Sequence, residues 1–320
     1  MYVKLDSEVL EILSCPLCKG DVDSQEGSFV CRGCGSGYER CTLTGDEDEE
    51  QVYDFRVNRP AYCLPPALMH WSTVQVKFEH EERWQASVDD LGTYLNEIES
   101  VKEIYTREFG ITGRVLDVGG SQGRLRHYLD LDSVRLFVSV DPFIDAFRSL
   151  RSRLNLLRAY PQLTEPCNFL ACFAEHLPFR RGSFDWVHMR SVLDHLWDPY
   201  LAIKEAYRVL HRDGSLLVGL TVRGGAGAEM QGRKQATLPA QILKKIGREG
   251  VRGVARAARA RLTSRLGEHR DHTFHWSYDD VVDLLDRCGL AVAKEHWQKP
   301  PYSTCVYLLA RKRNYLGPIT

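Results

Sequence analysis

The sequence predicts an α/β protein, a mainly parallel sheet with helices on both faces, preceded by a small cysteine-rich segment. Three observations carry this. From Arg114 onward, short β-branched or aromatic runs alternate with helical ones. A glycine-rich turn follows the first of those runs. Two Cys-x-x-Cys pairs stand within the first 43 residues. Strands that alternate with helices in this way are buried on both faces of a doubly wound sheet.

Taken in order, the cysteine pairs come first, and an acidic, apolar-poor run, 45–51 (GDEDEEQ), follows them as a solvated loop. Asn58-Arg59-Pro60 and Pro65-Pro66 read as a linker. Residues 67–109 place Leu91, Leu95, Ile98, Val101 and Tyr105 at helical spacing. Strands are expected at 114–118, 136–140, 168–173, 184–189, 215–221, 290–297 and 304–311, with helices over Leu125–Leu129, Ile144–Leu157 and Pro199–Leu210. The stretch 222–270 interrupts the alternation as a helical insertion. The expected organisation is therefore 1–57 for the cysteine segment, 58–110 for a linker and N-terminal helices, and 111–320 for the α/β domain.

A chain of 320 residues, 43% hydrophobic and 27% charged, has enough apolar material for one large core and a small satellite. The formal net charge is −1, so no whole-chain field favours a polyanionic partner. No apolar stretch approaches the ~18–20 residues that span a bilayer. Asp6, Glu8 and Glu11 interrupt the N-terminal residues, so no signal peptide is read there and a cytoplasmic protein is expected. In a reducing compartment the ten cysteines form no disulfide framework.

The turn carries the most chemistry. Arg114–Val118 is a buried strand, and Gly119-Gly120-Ser121-Gln122-Gly123 lets the backbone approach a ligand at its carboxyl end. Asp141, at the end of the second strand and followed by Pro142, stands where an acidic residue reaches ribose hydroxyls. The loop does not match G-x-G-x-x-G, and Asp117 would repel a pyrophosphate while suiting a ligand that carries an ammonium and a sulfonium.

Asp117–Gly123 resembles motif I, D-x-G-x-G-x-G, of class I S-adenosylmethionine-dependent methyltransferases. Ala174-Glu-His-Leu-Pro-Phe179 with Gly182–His188, Ser191–Pro199, and Glu205–Gly214 resemble the family's later segments in the same order. The resemblance runs over about 115–220 and resumes at 272–311. It implies a Rossmann-like sheet of seven strands with the last antiparallel. It also implies S-adenosyl-L-methionine as cofactor, held by Asp117, Gly119, Gly120, Ser121, Gly123, Asp141, Pro142, Phe173, Ala174, Glu175 and Arg190. Two positions depart from the pattern. Ser121 replaces the second motif glycine, and Phe173 stands where the family often has an acid, either packing on the adenine or filling core.

Cys15-Pro-Leu-Cys18 and Cys31-Arg-Gly-Cys34 can close a tetrahedral thiolate shell around a structural Zn²⁺. With Asp54-Phe55-Arg56 they resemble the small Trm112-like zinc ribbon, a module that in relatives stabilises or activates methyltransferases or contacts RNA. Metal would supply its folding energy. Losing one thiolate is then expected to unfold the ribbon and leave the sheet folded.

Methyl transfer to a hydroxyl needs a base, and the candidates are His195, with packing or a local cap as its alternative, and His272 and His275, which could enter from the side of the insertion. His188 reads as buried structure. Residues 233–270 hold eleven Lys or Arg against Glu249 and Glu268, which is either a solvated helix face or a surface for an anionic acceptor. The reading is O-methylation of a small molecule or glycan. RNA is the less favoured acceptor, because net basic charge is absent and Met189–Val192 stands where an N-P-P-Y tetrad would be. A non-catalytic adaptor is the third alternative. The oligomeric state is not readable.

Overall fold

The computed structural model describes residues 3–42, 51–57, 89–144, 147, 150–225, 274–298 and 304–313. Expectations for 67–88, for most of the 222–270 insertion and for His272 lie outside the described residues. Among them no helix is long and apolar enough to cross a membrane.

Seven strands form the centre. They are β6 (Arg114–Val118), β7 (Leu136–Val140), β8 (Cys167–Ala171), β9 (Phe184–Arg190), β10 (Leu210–Thr221), β11 (Leu290–Trp297) and β12 (Cys305–Lys312), ordered β11-β12-β10-β9-β6-β7-β8. All neighbours are parallel except β12, which runs antiparallel to both β10 and β11. Every residue of β7 and β8 is buried, which is why their sequences read as continuous apolar runs.

The sheet does not stop at seven. The outer edge of β8 is taken at its start by β1 (Val3–Lys4) and at its end by β5 (Gln51–Asp54), both parallel to it. Beyond β5 lie β4 (Gly37–Thr42), β3 (Ser28–Cys31) and β2 (Val22–Gln25), an antiparallel meander that makes one twelve-stranded sheet. Backbone pairing covers an edge that would otherwise present open N–H and C=O groups.

Among the described residues the ribbon shares its core with the sheet. Val9 and Ile12 of α1 (Ser7–Ile12), with Cys15, Phe29, Tyr38 and Phe55, are buried in one cluster with Leu170, Cys172, Leu177 and Phe179. Backbone bonds reinforce it: Ser14 N–H donates to Pro178 O at 2.9 Å and Arg180 N–H to Ile12 O at 2.8 Å. Lys19, just after the first knuckle, reaches α4 (Pro199–Val209) and places Nζ 2.6 Å from Oε2 of buried Glu205. Glu205 also pairs with Arg208 at 2.8 Å, and these cations hold its carboxyl below the usual range against the opposing effect of burial. The expectation of a separately unfolding ribbon gives way to a shared core.

Two helical expectations change as well. In α2 (Leu91–Glu103) the buried line runs through Tyr94, Val101 and, one turn on, Tyr105, while Leu95 is half exposed. Asp90 caps its first turn by accepting from Thr93 N–H at 2.8 Å. The helix over Ile144–Leu157 is interrupted: a 3₁₀ turn at Leu150–Ser152 precedes α3 (Leu154–Ala159). The Asp89 carboxylate accepts from Asn155 and Leu156 N–H at 2.7 and 3.0 Å and starts the helix afresh.

Candidate active site and metal centre

Parallel β6, β7, β8 and β9 present their carboxyl ends on one edge of the sheet, where open α/β sheets bind ligands. The turn after β6 folds back on β7, with Gly119 N–H donating to Val140 O at 2.8 Å. Gly119 has φ +66°, and a Cβ there would lie 2.5 Å from Val192 Cγ2; at Gly120 it would lie 2.4 Å from Asp117 Oδ2. Glycine is therefore required at both positions. Ser121, at φ +47°, takes the left-handed conformation that the motif glycine would have adopted. Its N–H donates to Asp141 Oδ2 at 3.1 Å, and Phe143 N–H donates to Asp141 Oδ1 at 2.9 Å. Asp117 and Asp141 are both buried, and Gly119 is exposed at the mouth. Two fixed carboxylates beside an open glycine turn suit a cationic nucleoside.

At the other end, the Sγ atoms of Cys15, Cys18, Cys31 and Cys34 lie within 4.8 Å of one another. The closest pairs are Cys18 with Cys31 at 3.3 Å and Cys15 with Cys34 at 3.7 Å. Zinc–sulfur bonds of about 2.3 Å in a tetrahedron separate the sulfurs by about 3.8 Å, so the four fit a closed site. Backbone N–H groups of Cys18, Gly33 and Cys34 point at Cys15 or Cys31 Sγ at 3.3–3.5 Å and fix the positions of those sulfurs.

Residues 116–218 match the family model described as a methyltransferase domain, and residues 6–38 match the one described as Trm112p-like protein. The chain joins a methyltransferase domain to a Trm112-like domain. No curated protein matches it. Among solved structures it is similar to 1,6-didemethyltoxoflavin-N1-methyltransferase of Burkholderia thailandensis, at 15% identity and TM-score 0.47, covering 84% of this chain and 97% of that one. Magnesium protoporphyrin IX methyltransferase of Synechocystis shares 16% identity at TM-score 0.42, over 68% of this chain and 83% of that one. A chain of the Haloferax volcanii complex between the Trm112 methyltransferase activator and a candidate methyltransferase shares 15% at TM-score 0.46, over 72% and 97%.

Within the methyltransferase domain, Pro142 ends the turn after β7 and Phe173 follows β8, both half-buried. Ala174 and Glu175 are buried just beyond. The Glu175 carboxylate accepts from Trp197 N–H at 3.0 Å and Asp198 N–H at 3.1 Å, so it holds the loop after β9. Burial pushes this carboxyl up to about 7 against the pull of those amides. Arg190, the last residue of β9, donates to Glu97 Oε1 at 3.1 Å, and Glu97 Oε2 lies 3.8 Å from Arg124.

His195 is half-buried in the loop that Glu175 holds, its Nε2 3.9 Å from Asp194 Oδ2. His275 is exposed beside Phe274, whose N–H donates to Asp194 O at 3.1 Å. The fold thus brings the chain bearing His275 to the loop bearing His195.

His188, read from the sequence as buried structure, is buried in β9. Its Nδ1 lies 2.7 Å from Asp117 Oδ1 and its Nε2 2.9 Å from the Tyr105 hydroxyl, in a buried row Asp117–His188–Tyr105. Tyr105 lies in the π-helical turn Ile104–Glu108 that follows α2, a departure common at functional sites.

Proposed function

We propose that this chain transfers a methyl group from S-adenosyl-L-methionine to a hydroxyl of a small-molecule or glycan acceptor, and holds one structural Zn²⁺ on Cys15, Cys18, Cys31 and Cys34. The observation that carries the first part is the pair of buried carboxylates, Asp117 and Asp141, fixed on either side of the Gly119–Gly123 turn where four strand ends converge.

In this reading Asp117 lies toward the methionine end and Asp141 toward the ribose, with Phe173 and Pro142 lining the nucleoside. When bound, S-adenosyl-L-methionine supplies an electrophilic methyl and a thioether leaving group. The protein must then align the acceptor and remove its proton. His195 takes that proton in its neutral form, next to Asp194. His275 is the alternative base, on the neighbouring chain. Arg190 is tied to Glu97 and anchors α2 beside the pocket. The basic 233–270 segment favours an acceptor carrying negative charge.

Calorimetric titration with S-adenosylhomocysteine tests the pocket. Wild type should bind with one site per chain. Asp141→Asn should weaken binding by about 1.5–3 kcal/mol, the value of a hydrogen bond to a charged acceptor. Absence of wild-type binding would sink the reading in favour of the adaptor.

A further inference from the structure

We infer that the four-cysteine centre shapes the cofactor pocket through one continuous row of contacts ending on Arg56, which makes Arg56 a positioning residue for the Asp141–Pro142 turn. The inference rests on the reading of that turn as part of the cofactor pocket.

The row begins at the sulfur cluster. The Tyr38 hydroxyl lies 3.0 Å from Cys15 Sγ, and both residues are buried. The Tyr38 ring stacks on Phe55, centroids 4.8 Å apart and planes 16° from parallel. Phe55 is 0% exposed, and Phe29 closes on it from another side at 5.5 Å. A ring fixed on two faces cannot shift without moving its neighbours, because cores of this density are not continuously deformable.

Phe55 passes the constraint to the catalytic sheet. Its N–H donates to Ala171 O at 2.8 Å, extending the β5–β8 ladder past Asp54↔Ala171. The next residue is Arg56. Asp54 sets the guanidinium's orientation: Oδ1 accepts from Arg56 Nε at 2.9 Å and Oδ2 from Nη2 at 2.5 Å. The remaining fork, Nη1, donates to Pro142 O at 3.1 Å, reaching past the end of β8. Fixing that carbonyl fixes the turn between Asp141 and Phe143. The same turn aims the Asp141 carboxylate, which accepts from Phe143 and Ser121 N–H. Arg56 therefore sets the aim of the candidate ribose ligand and, through Ser121, the path of the glycine turn.

Two consequences follow. Removing the guanidinium should loosen cofactor binding without loosening the fold, since Arg56 is a third exposed and holds no core together. Cofactor and metal should also stabilise each other, because coupling between two sites is reciprocal.

The test measures S-adenosylhomocysteine affinity by calorimetry for metal-loaded wild type, Arg56→Ala and Arg56→Lys, with metal content and thermal unfolding recorded for each. Arg56→Ala should bind about tenfold more weakly, the scale of one charge-assisted hydrogen bond. Its metal content and unfolding temperature should match wild type. Arg56→Lys, which keeps the donor but not the fork, should recover part of the loss. In wild type, saturating S-adenosylhomocysteine should slow removal of zinc by a chelator, and in Arg56→Ala this protection should shrink. Equal affinity in wild type and Arg56→Ala, or zinc removal indifferent to the nucleoside, overturns the coupling while leaving the pocket assignment standing. Failure of wild type to bind S-adenosylhomocysteine overturns the pocket assignment and the coupling with it.

Discussion

Replacing Glu175 by Gln should change how stability depends on pH. The carboxyl is 1% exposed, and its Oε1 accepts two backbone amides from the loop after β9. Burial outweighs those amides and raises its pKa from an ordinary 4.5 to about 7. The folded state therefore binds a proton more readily than the unfolded chain between those values. The sign follows: this group's contribution to stability is fully present below pH 4.5 and is lost as pH rises through about 7. The gap corresponds to roughly 3 kcal/mol. A glutamine at 175 keeps an acceptor for the Trp197 and Asp198 amides and does not titrate. Urea unfolding of wild type and Glu175→Gln at intervals from pH 5 to 8 isolates the effect, because every other titrating group is common to both. Wild type should lose stability relative to the variant as pH rises, most steeply between about pH 5 and 7 and little further above that. Parallel curves would refute the argument and mean that the carboxylate is as comfortable ionised in the fold as in water.

Glu205→Gln should lower stability by about 3–5 kcal/mol in denaturant unfolding, because Lys19 and Arg208 are left beside a buried site without their counter-charge. Tyr105→Phe keeps the ring but leaves His188 Nε2 buried without its partner, and should cost about 1–3 kcal/mol by the same assay. Neutralising Arg252, Arg256 and Arg259 together should raise the acceptor KM and leave S-adenosylhomocysteine affinity unchanged. A salt slope of roughly −0.7 per phosphate contact would instead identify RNA as the acceptor.

The legible parts of the fold are those whose signal is local. Strands buried on both faces read as apolar runs, and all seven central strands fall within a few residues of their expected places. The Cys-x-x-Cys spacing and the glycine turn are equally local, since a knuckle and a left-handed turn are each built from adjacent residues. What failed to show depends on distant partners. Asp89 restarts the chain as α3 from 66 residues away, so periodicity over 144–157 could not register the break. The sheet's extension through β5 rests on main-chain groups, which carry no residue signature. His188 reads as buried structure, but its partners do not show, because Asp117 and Tyr105 stand 71 and 83 residues from it.

The same distinction separates the pocket from what holds it. Asp117, Gly119, Gly120, Ser121 and Asp141 announce themselves in sequence because the proposed nucleoside site is built from a turn and a strand end that lie close together. Their supports do not: His188 behind Asp117, Glu175 behind the His195 loop, and Arg56 on the turn at Asp141 each come from another element. Arg56 comes from the Trm112-like segment itself, across a junction where one sheet and one buried cluster run through both parts. A ribbon that merely rode on the surface would have no reason to place a guanidinium, oriented by its own Asp54, on the carbonyl of Pro142. Joined this way, the ribbon and the catalytic sheet should unfold as one unit, and Cys31→Ser should abolish the single cooperative transition instead of splitting off a small one.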